Sequence, residues 1–203
     1  MAVSSFAPIR ELVRKSIRDL LGLVWDDTAL DYAINEAQRE YAILGGSLVA
    51  SMAVIPTENG VFSLPNDYLV PVKFIDAKGY EIPFYSWRNI HDKYPDFRKV
   101  TGNNVQAIIT DFDGFGKLRL FPVIPMSVSP VGTLYYQRLP KKDTIETKNV
   151  RAIELHSLFQ AFMIDGNPSA AVYYNRFIKA VNEESAVQRG MKTKSRLRRG
   201  RFF

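Results

Sequence analysis

The stretch Tyr41-Ala42-Ile43-Leu44-Gly45-Gly46-Ser47-Leu48-Val49-Ala50-Ser51-Met52-Ala53-Val54-Ile55 contains the change of texture on which the fold turns. Before it, Leu30, Ile34, Ala37, Tyr41 and Leu44 recur at intervals of three and four, as one face of a helix does. A helix over 28–44, capped by Asp27 or Thr28, is expected to stop at Gly45-Gly46. After it, Val, Ile, Phe and Tyr dominate up to about Arg138, interrupted by Asn-Gly, Lys-Gly, Asp-Gly and several prolines, the texture of strands and turns.

Toward the N-terminus, Ile9, Leu12, Val13, Ile17, Leu20 and Leu21 predict a helix over 9–21, with Pro8 in its first turn and Gly22 as its stop. Toward the C-terminus, strands are predicted at 49–55, 61–64, 69–76, 80–84, 105–110, 117–121 and 131–138. Glu58-Asn59-Gly60 and Ala77-Lys78-Gly79 suit hairpin turns, and Ser86 suits the cap of a short helix from Trp87 to Lys93. Helical periodicity returns over 149–165 with Val150, Ile153, Leu158, Phe159, Phe162 and Met163. Gly166 ends that helix, Asn167 and Pro168 open the next, and Ala171, Tyr174, Ile178 and Val181 line its expected buried face. The fold class is therefore α+β: an α-helical bundle from the N- and C-terminal segments, an inserted β-rich lobe, and an extended basic C-terminal tail. The expected divisions are 1–46 and 141–188 for the bundle, 47–140 for the lobe and 189–203 for the tail.

Charge separates the tail from the rest. The 203 residues carry a net charge of +6. Seven basic residues (Arg189, Lys192, Lys194, Arg196, Arg198, Arg199 and Arg201) and no acid lie from Arg189 onward. Of the 27 basic residues, 20 then remain against 21 acidic ones, so the body is near neutral. This argues against a nucleic-acid-binding surface spread over the fold and for a basic segment that inserts into a partner. Cysteine is absent, which excludes disulfides, a thiolate metal site and a cysteine nucleophile. The apolar runs fall far short of the roughly 20 residues a bilayer-spanning helix needs. The start, MAVSSFAPIR, lacks the layout of a secretory signal, so folding in a cytoplasm is expected.

Candidate chemistry is thin. Asp111-Phe112-Asp113-Gly114-Phe115-Gly116 opens like a calcium loop, but the fifth position is Phe115 and the twelfth Pro122, so a hairpin turn is expected. His91 and His156 are the two histidines, in different predicted elements, and fit no triad or zinc spacing. No phosphate-binding glycine loop is present. Asp26, Asp27, Asp31, Glu36 and Glu40 are expected to be a solvated helix face, and paired-carboxylate catalysis leaves no local signature to read. Phe84, Tyr85, Trp87, Tyr94 and Phe97 suit a core or interface better than base stacking, which needs a basic groove.

Five blocks in order carry a resemblance: YAINEAQREY at 32–41, FSLPNDYL at 62–69, Ser86-Trp87-Arg88, DFDG at 111–114 with LRLFP at 118–122, and YYQRLP at 135–140. Over roughly residues 10–185 they resemble the head-to-tail adaptor (head-completion, neck or portal-ring) proteins of tailed double-stranded DNA bacteriophages, tail accessory factor type. The resemblance implies a structural virion protein, not an enzyme, that forms a ring of about twelve copies beneath the portal. It implies the portal protein, tail or further neck proteins and neighbouring copies as partners. DNA would pass through the channel without specific binding, with no cofactor, metal or membrane involved. Its place would be the head–tail junction of the virion, and the host cytoplasm during assembly. On this reading Arg196, Leu197, Arg198, Arg199, Arg201, Phe202 and Phe203 dock on the portal, and Tyr32, Glu36, Arg39, Tyr174 and Ile178 pack the ring. Two rival readings are a nucleic-acid-binding protein using the basic arm and a virion-associated peptidoglycan hydrolase; no residue is assigned to the latter activity.

Overall fold

The computed structural model describes residues 6–199 apart from Leu20, Gly46, Ser47, Glu58, Phe115, residues 125–128 and Lys148, with side chains described up to Glu184. The first elements are α1 (Ala7–Ile17), α2 (Asp27–Gly45), β1 (Val49–Val54), β2 (Val61–Ser63), β3 (Tyr68–Asp76), β4 (Glu81–Ile82) and β5 (Phe84–Tyr85). Then come α3 (Trp87–His91), β6 (Ala107–Ile109), β7 (Lys117–Phe121), β8 (Gly132–Arg138), α4 (Val150–Ile164) and α5 (Ala170–Arg199). They divide into two compact units: Met1–Leu48 with Leu139–Phe203, and Val49–Arg138.

The first unit is the helical one. Ile9, Val13, Leu30, Ile34, Tyr41, Ile153, Leu158, Phe177 and Val181 form its buried core. Asn149 caps α4, its side chain accepting from Ala152 N–H at 3.0 Å. The Tyr41 hydroxyl donates to Glu184, and the Asn149 side-chain amide donates to the same carboxylate at 2.9 Å. The end of α2, the start of α4 and residue 184 of α5 therefore meet, so α4 runs antiparallel to both α2 and α5.

Three expectations change here. The cap of α2 is Asp26, whose carboxylate accepts from Ala29 N–H at 2.7 Å, one residue earlier than Asp27. The first helix ends at Ile17, not Leu21, with Arg18 at φ 61°. In α5 the buried face centres on Phe177, while Ala171 is exposed. The backbone of α5 also continues as helix through the basic segment to Arg199.

The second unit stacks two four-stranded sheets, ordered β1-β8-β3-β4 and β2-β7-β6-β5. Val54, Phe62, Phe74, Ile108, Leu118, Leu120 and Leu134 form the shared core. A second cluster, Ile90, Phe97, Ala107, Ile109 and Phe121, joins α3 and the following loop to β6 and β7. All three residues of β6 are consequently buried, as in a strand covered on both faces. Within the first sheet, Gly132 of β8 lies where a Cβ would come within 2.5 Å of both the Ile75 carbonyl oxygen and the Phe74 ring. The close approach of β8 to β3 demands glycine there.

The turn at 77–79 joins an antiparallel pair, β3 with β4, and Gly79 takes φ 90°. The segment around Asn59-Gly60 is not a β-hairpin, because β1 pairs with β8 and β2 with β7. The strand expected over 80–84 is two strands in different sheets: Ile82 pairs with Phe74, and Phe84 pairs in parallel with Ile108. Pro83, which has no N–H to add to a ladder, marks the crossing.

Candidate functional site

The bundle end at the α1–α2 loop is organised by charge. Arg14 donates to Asp27 at 2.8 Å and lies 3.4 Å from Asp19, and Arg10 pairs with both Asp27 and Asp31. Asp19 does the most local work. Its carboxylate accepts from Leu23 N–H and Trp25 N–H, each at 2.8 Å, and from Val24 N–H at 3.3 Å. These bonds, with that to Trp25 N–H the largest cause, hold its pKa below the ordinary carboxylate value. Asp31 moves the other way, raised by burial. The wrapped loop tucks Trp25 into the core and leaves Leu21, Leu23 and Val24 outside, at 83%, 82% and 74% exposure.

Tyr32, Glu36, Arg39 and Ile43 recur at four, three and four along α2 and make one outward stripe. Tyr32 and Ile43 are exposed, and Glu36 and Arg39 approach to 3.9 Å. The first three are residues expected to pack the ring, and Ile43 continues their spacing. Tyr174 and Ile178 are half-buried against their own bundle. Tyr174 sits among aromatic rings, 4.9 Å from Phe159 and 6.1 Å from Phe177. His156 lies in the same cluster, 4.8 Å from Phe177, and burial pushes its pKa down to about 4. Arg196, Leu197, Arg198 and Arg199 fall in the last turns of α5, beyond the described side chains. Arg201, Phe202 and Phe203 lie outside the described residues.

The calcium-like stretch is a turn between β6 and β7, as its glycines suggested. Asp113 grips Arg119 in two hydrogen bonds, at 2.6 and 2.8 Å, and Asp111 accepts from Trp87 N–H at 2.6 Å. Both carboxylates are therefore committed to holding the turn. Arg119 reaches on to the Asn59 carbonyl at 3.0 Å, so the turn is tied to the 57–60 segment. Among the described residues no three or more His, Asp or Glu side chains are grouped to hold a metal. Trp87 and Phe97 pack against Phe112 at 6.1 and 5.2 Å, Phe97 as buried core and Trp87 half-buried beside it; Tyr85 and Tyr94 are exposed. Among the described residues no helix is long and apolar enough to cross a membrane.

No curated protein matches the chain. A family model described as SU10 adaptor protein matches residues 7–200, from the start of α1 through the end of α5 and across both units. The match agrees with the head-to-tail adaptor resemblance carried by the five sequence blocks, and it names a structural adaptor family, not a known enzyme family. This chain belongs to the SU10 adaptor protein family, structural adaptors of bacteriophages.

Proposed function

We propose that this phage adaptor assembles as a closed ring beneath the portal, joins the head to the tail and completes the channel through which DNA passes. The observation that carries the reading is α5. Its first half supplies Phe177 and Val181 to the bundle core, and the same helix continues into a segment with six basic residues and no acid between Arg189 and Arg199. At about 1.5 Å per residue the whole helix is roughly 45 Å long. One end is thus fixed by the fold, and the other is chemically suited to an acidic groove of a larger partner. The portal is that partner, with Arg196, Arg198, Arg199 and Arg201 as the charges and Leu197, Phe202 and Phe203 as apolar anchors. The near-neutral body suits a channel that must release DNA, since phosphate affinity grows with the number of basic contacts. The exposed α2 stripe of Tyr32, Glu36 and Arg39 is offered to neighbouring copies, and closure of the ring is templated by the portal. Tail or further neck proteins dock on the ring's distal side, in the assembled virion.

The test compares the full chain with one lacking residues 196–203 by sedimentation with purified portal rings. The full chain should co-sediment; the shortened one should keep its circular dichroism and thermal midpoint and bind at least a hundredfold more weakly. Equal binding by both would contradict the docking role.

A further inference from the structure

The loop that follows α3 builds a small pocket that the adaptor role leaves unused. Its backbone is fixed by three hydrogen bonds. Gly102 N–H donates to the Val123 carbonyl at 3.1 Å, Val123 N–H to that of Val100 at 2.8 Å, and Gln106 N–H to that of Phe121 at 2.8 Å. Gly102 also lies so close to Pro122 that a Cβ would come within 2.6 Å of the proline ring, an approach that calls for glycine. The pocket so formed holds about 230 Å³. Buried Phe121 and Pro122 make its base, and exposed Thr101, Asn103, Asn104 and Gln106 make its rim. Tyr94 completes the wall: its ring rests 5.0 Å from that of Phe121 and is still 44% exposed.

Three features select the ligand. Among the described residues that line the pocket none is charged at neutral pH, although Lys93, Asp96, Arg98 and Lys99 lie in the same loop. A phosphate, carboxylate or ammonium group seated there would lose water without gaining a counter-charge. The rim is rich in side-chain amides, each with a donor and an acceptor side by side, which suits hydroxyl groups that both give and accept hydrogen bonds. Asn104 Oδ1 already accepts from Lys78 Nζ at 2.9 Å, which leaves its N–H groups to donate. Among the described residues the side chains of Tyr94, Thr101, Asn103 and Gln106 form no hydrogen bond within the protein. Finally, the electron-rich face of an aromatic ring attracts weakly positive C–H groups, and Tyr94 is held in place by Phe121 to offer one. The volume suits one ring and falls below that of pockets for larger molecules. We propose that this pocket binds a single neutral sugar unit, free or within a glycan chain. The C–H face of the sugar lies on Tyr94, and its hydroxyls exchange hydrogen bonds with Asn103, Asn104 and Gln106. No carboxylate is among the described lining residues, so the pocket holds the sugar without the paired acids that would cleave it. This site goes beyond the adaptor role and does not depend on it.

The test titrates the full-length chain with sugars and reads binding by saturation-transfer difference NMR. Glucose, galactose, mannose and N-acetylglucosamine are the free probes, and dextran is the chain-borne one. At least one should bind with a dissociation constant of about 1 mM, a strength in keeping with one small ring on an open site. Asn103→Ala combined with Gln106→Ala should weaken that binding at least tenfold and leave the thermal midpoint unchanged, since both side chains are exposed. Tyr94→Leu, which keeps apolar contact with Phe121 and removes the ring, should weaken it as much. Binding of dextran but not of free sugars would place the site on glycan chains, and the reverse would place it on free sugars; either upholds the proposal. No binding of any of the five probes up to about 50 mM would overturn it. Unchanged binding by both variants, or tighter binding of glucose 6-phosphate or glucuronate than of the neutral probes, would overturn it as well.

Discussion

The bundle draws its core from two segments separated by the whole of Val49–Arg138, whereas the β-rich unit closes its core within that one continuous stretch. The bundle exists only when residues such as Ile34 and Phe177 find each other across the chain; the lobe has no such dependence. The bundle also buries more polar chemistry, His156 and Gln38 among its apolar neighbours, while the lobe's two sheets meet over an almost wholly apolar layer. The difference teaches where each kind of damage should appear: defects in the bundle report on the meeting of the two ends, and defects in the lobe stay local.

The largest expected effect is from Phe177→Ala. Phe177 is fully buried at the centre of the α5 face, and truncating such a ring costs about 4 kcal/mol. Hydrogen exchange should show protection lost across α1, α2, α4 and α5 while β3 and β8 keep theirs. Equal loss in both units would break the comparison.

Next is a pH effect confined to the bundle. His156 is buried against Phe159 and Phe177, and its Nδ1 makes no hydrogen bond. Its pKa falls from 6.5 to about 4 on folding. The unfolded chain therefore binds the proton more readily. Stability is full above pH 6.5, falls as pH drops through the window to about 4, and levels off below it. The loss amounts to at most about 3 kcal/mol. His156→Leu should flatten bundle stability over that window; an unchanged slope would assign the pH dependence elsewhere.

The smallest of the three is in the lobe. Gly132→Ala sets a methyl group against the Ile75 carbonyl and the Phe74 ring and should cost about 2 kcal/mol. Exchange should quicken in β3 and β8 and not in α2 or α4. Faster exchange in the helices would mean that the lobe supports the bundle.

Much of this architecture was readable in the residues. The three-four spacing of Leu30 to Leu44 and the helical period over 149–165 place α2 and α4 to within a residue or two, because side-chain period is a local property. The end of α1 was not readable: Leu20-Leu21 continues the apolar stripe, and only the capture of three N–H groups by Asp19 turns the chain away. Nor was the partner order of the strands, since alternation tells which face a residue takes and not which strand lies beside it. The α5 face was legible in part: Tyr174, Ile178 and Val181 pack on the core as expected, but Ala171 is exposed and Phe177 at the centre was missed, because aromatic and aliphatic bulk is spread around the helix. Of the site, Tyr32, Glu36 and Arg39 were reached through the resemblance, and that they share one outward stripe shows only in the structure. The exposed Leu23 loop was invisible, because apolar residues next to a helix read as buried.

The measurement that bears most directly on the central claim is native mass spectrometry of the full chain with purified portal rings of its own phage. The account predicts a portal ring carrying one closed, fixed number of copies, with no partial sets persisting when the chain is in excess. A broad distribution of loosely bound copies, or portal rings carrying none, would contradict it.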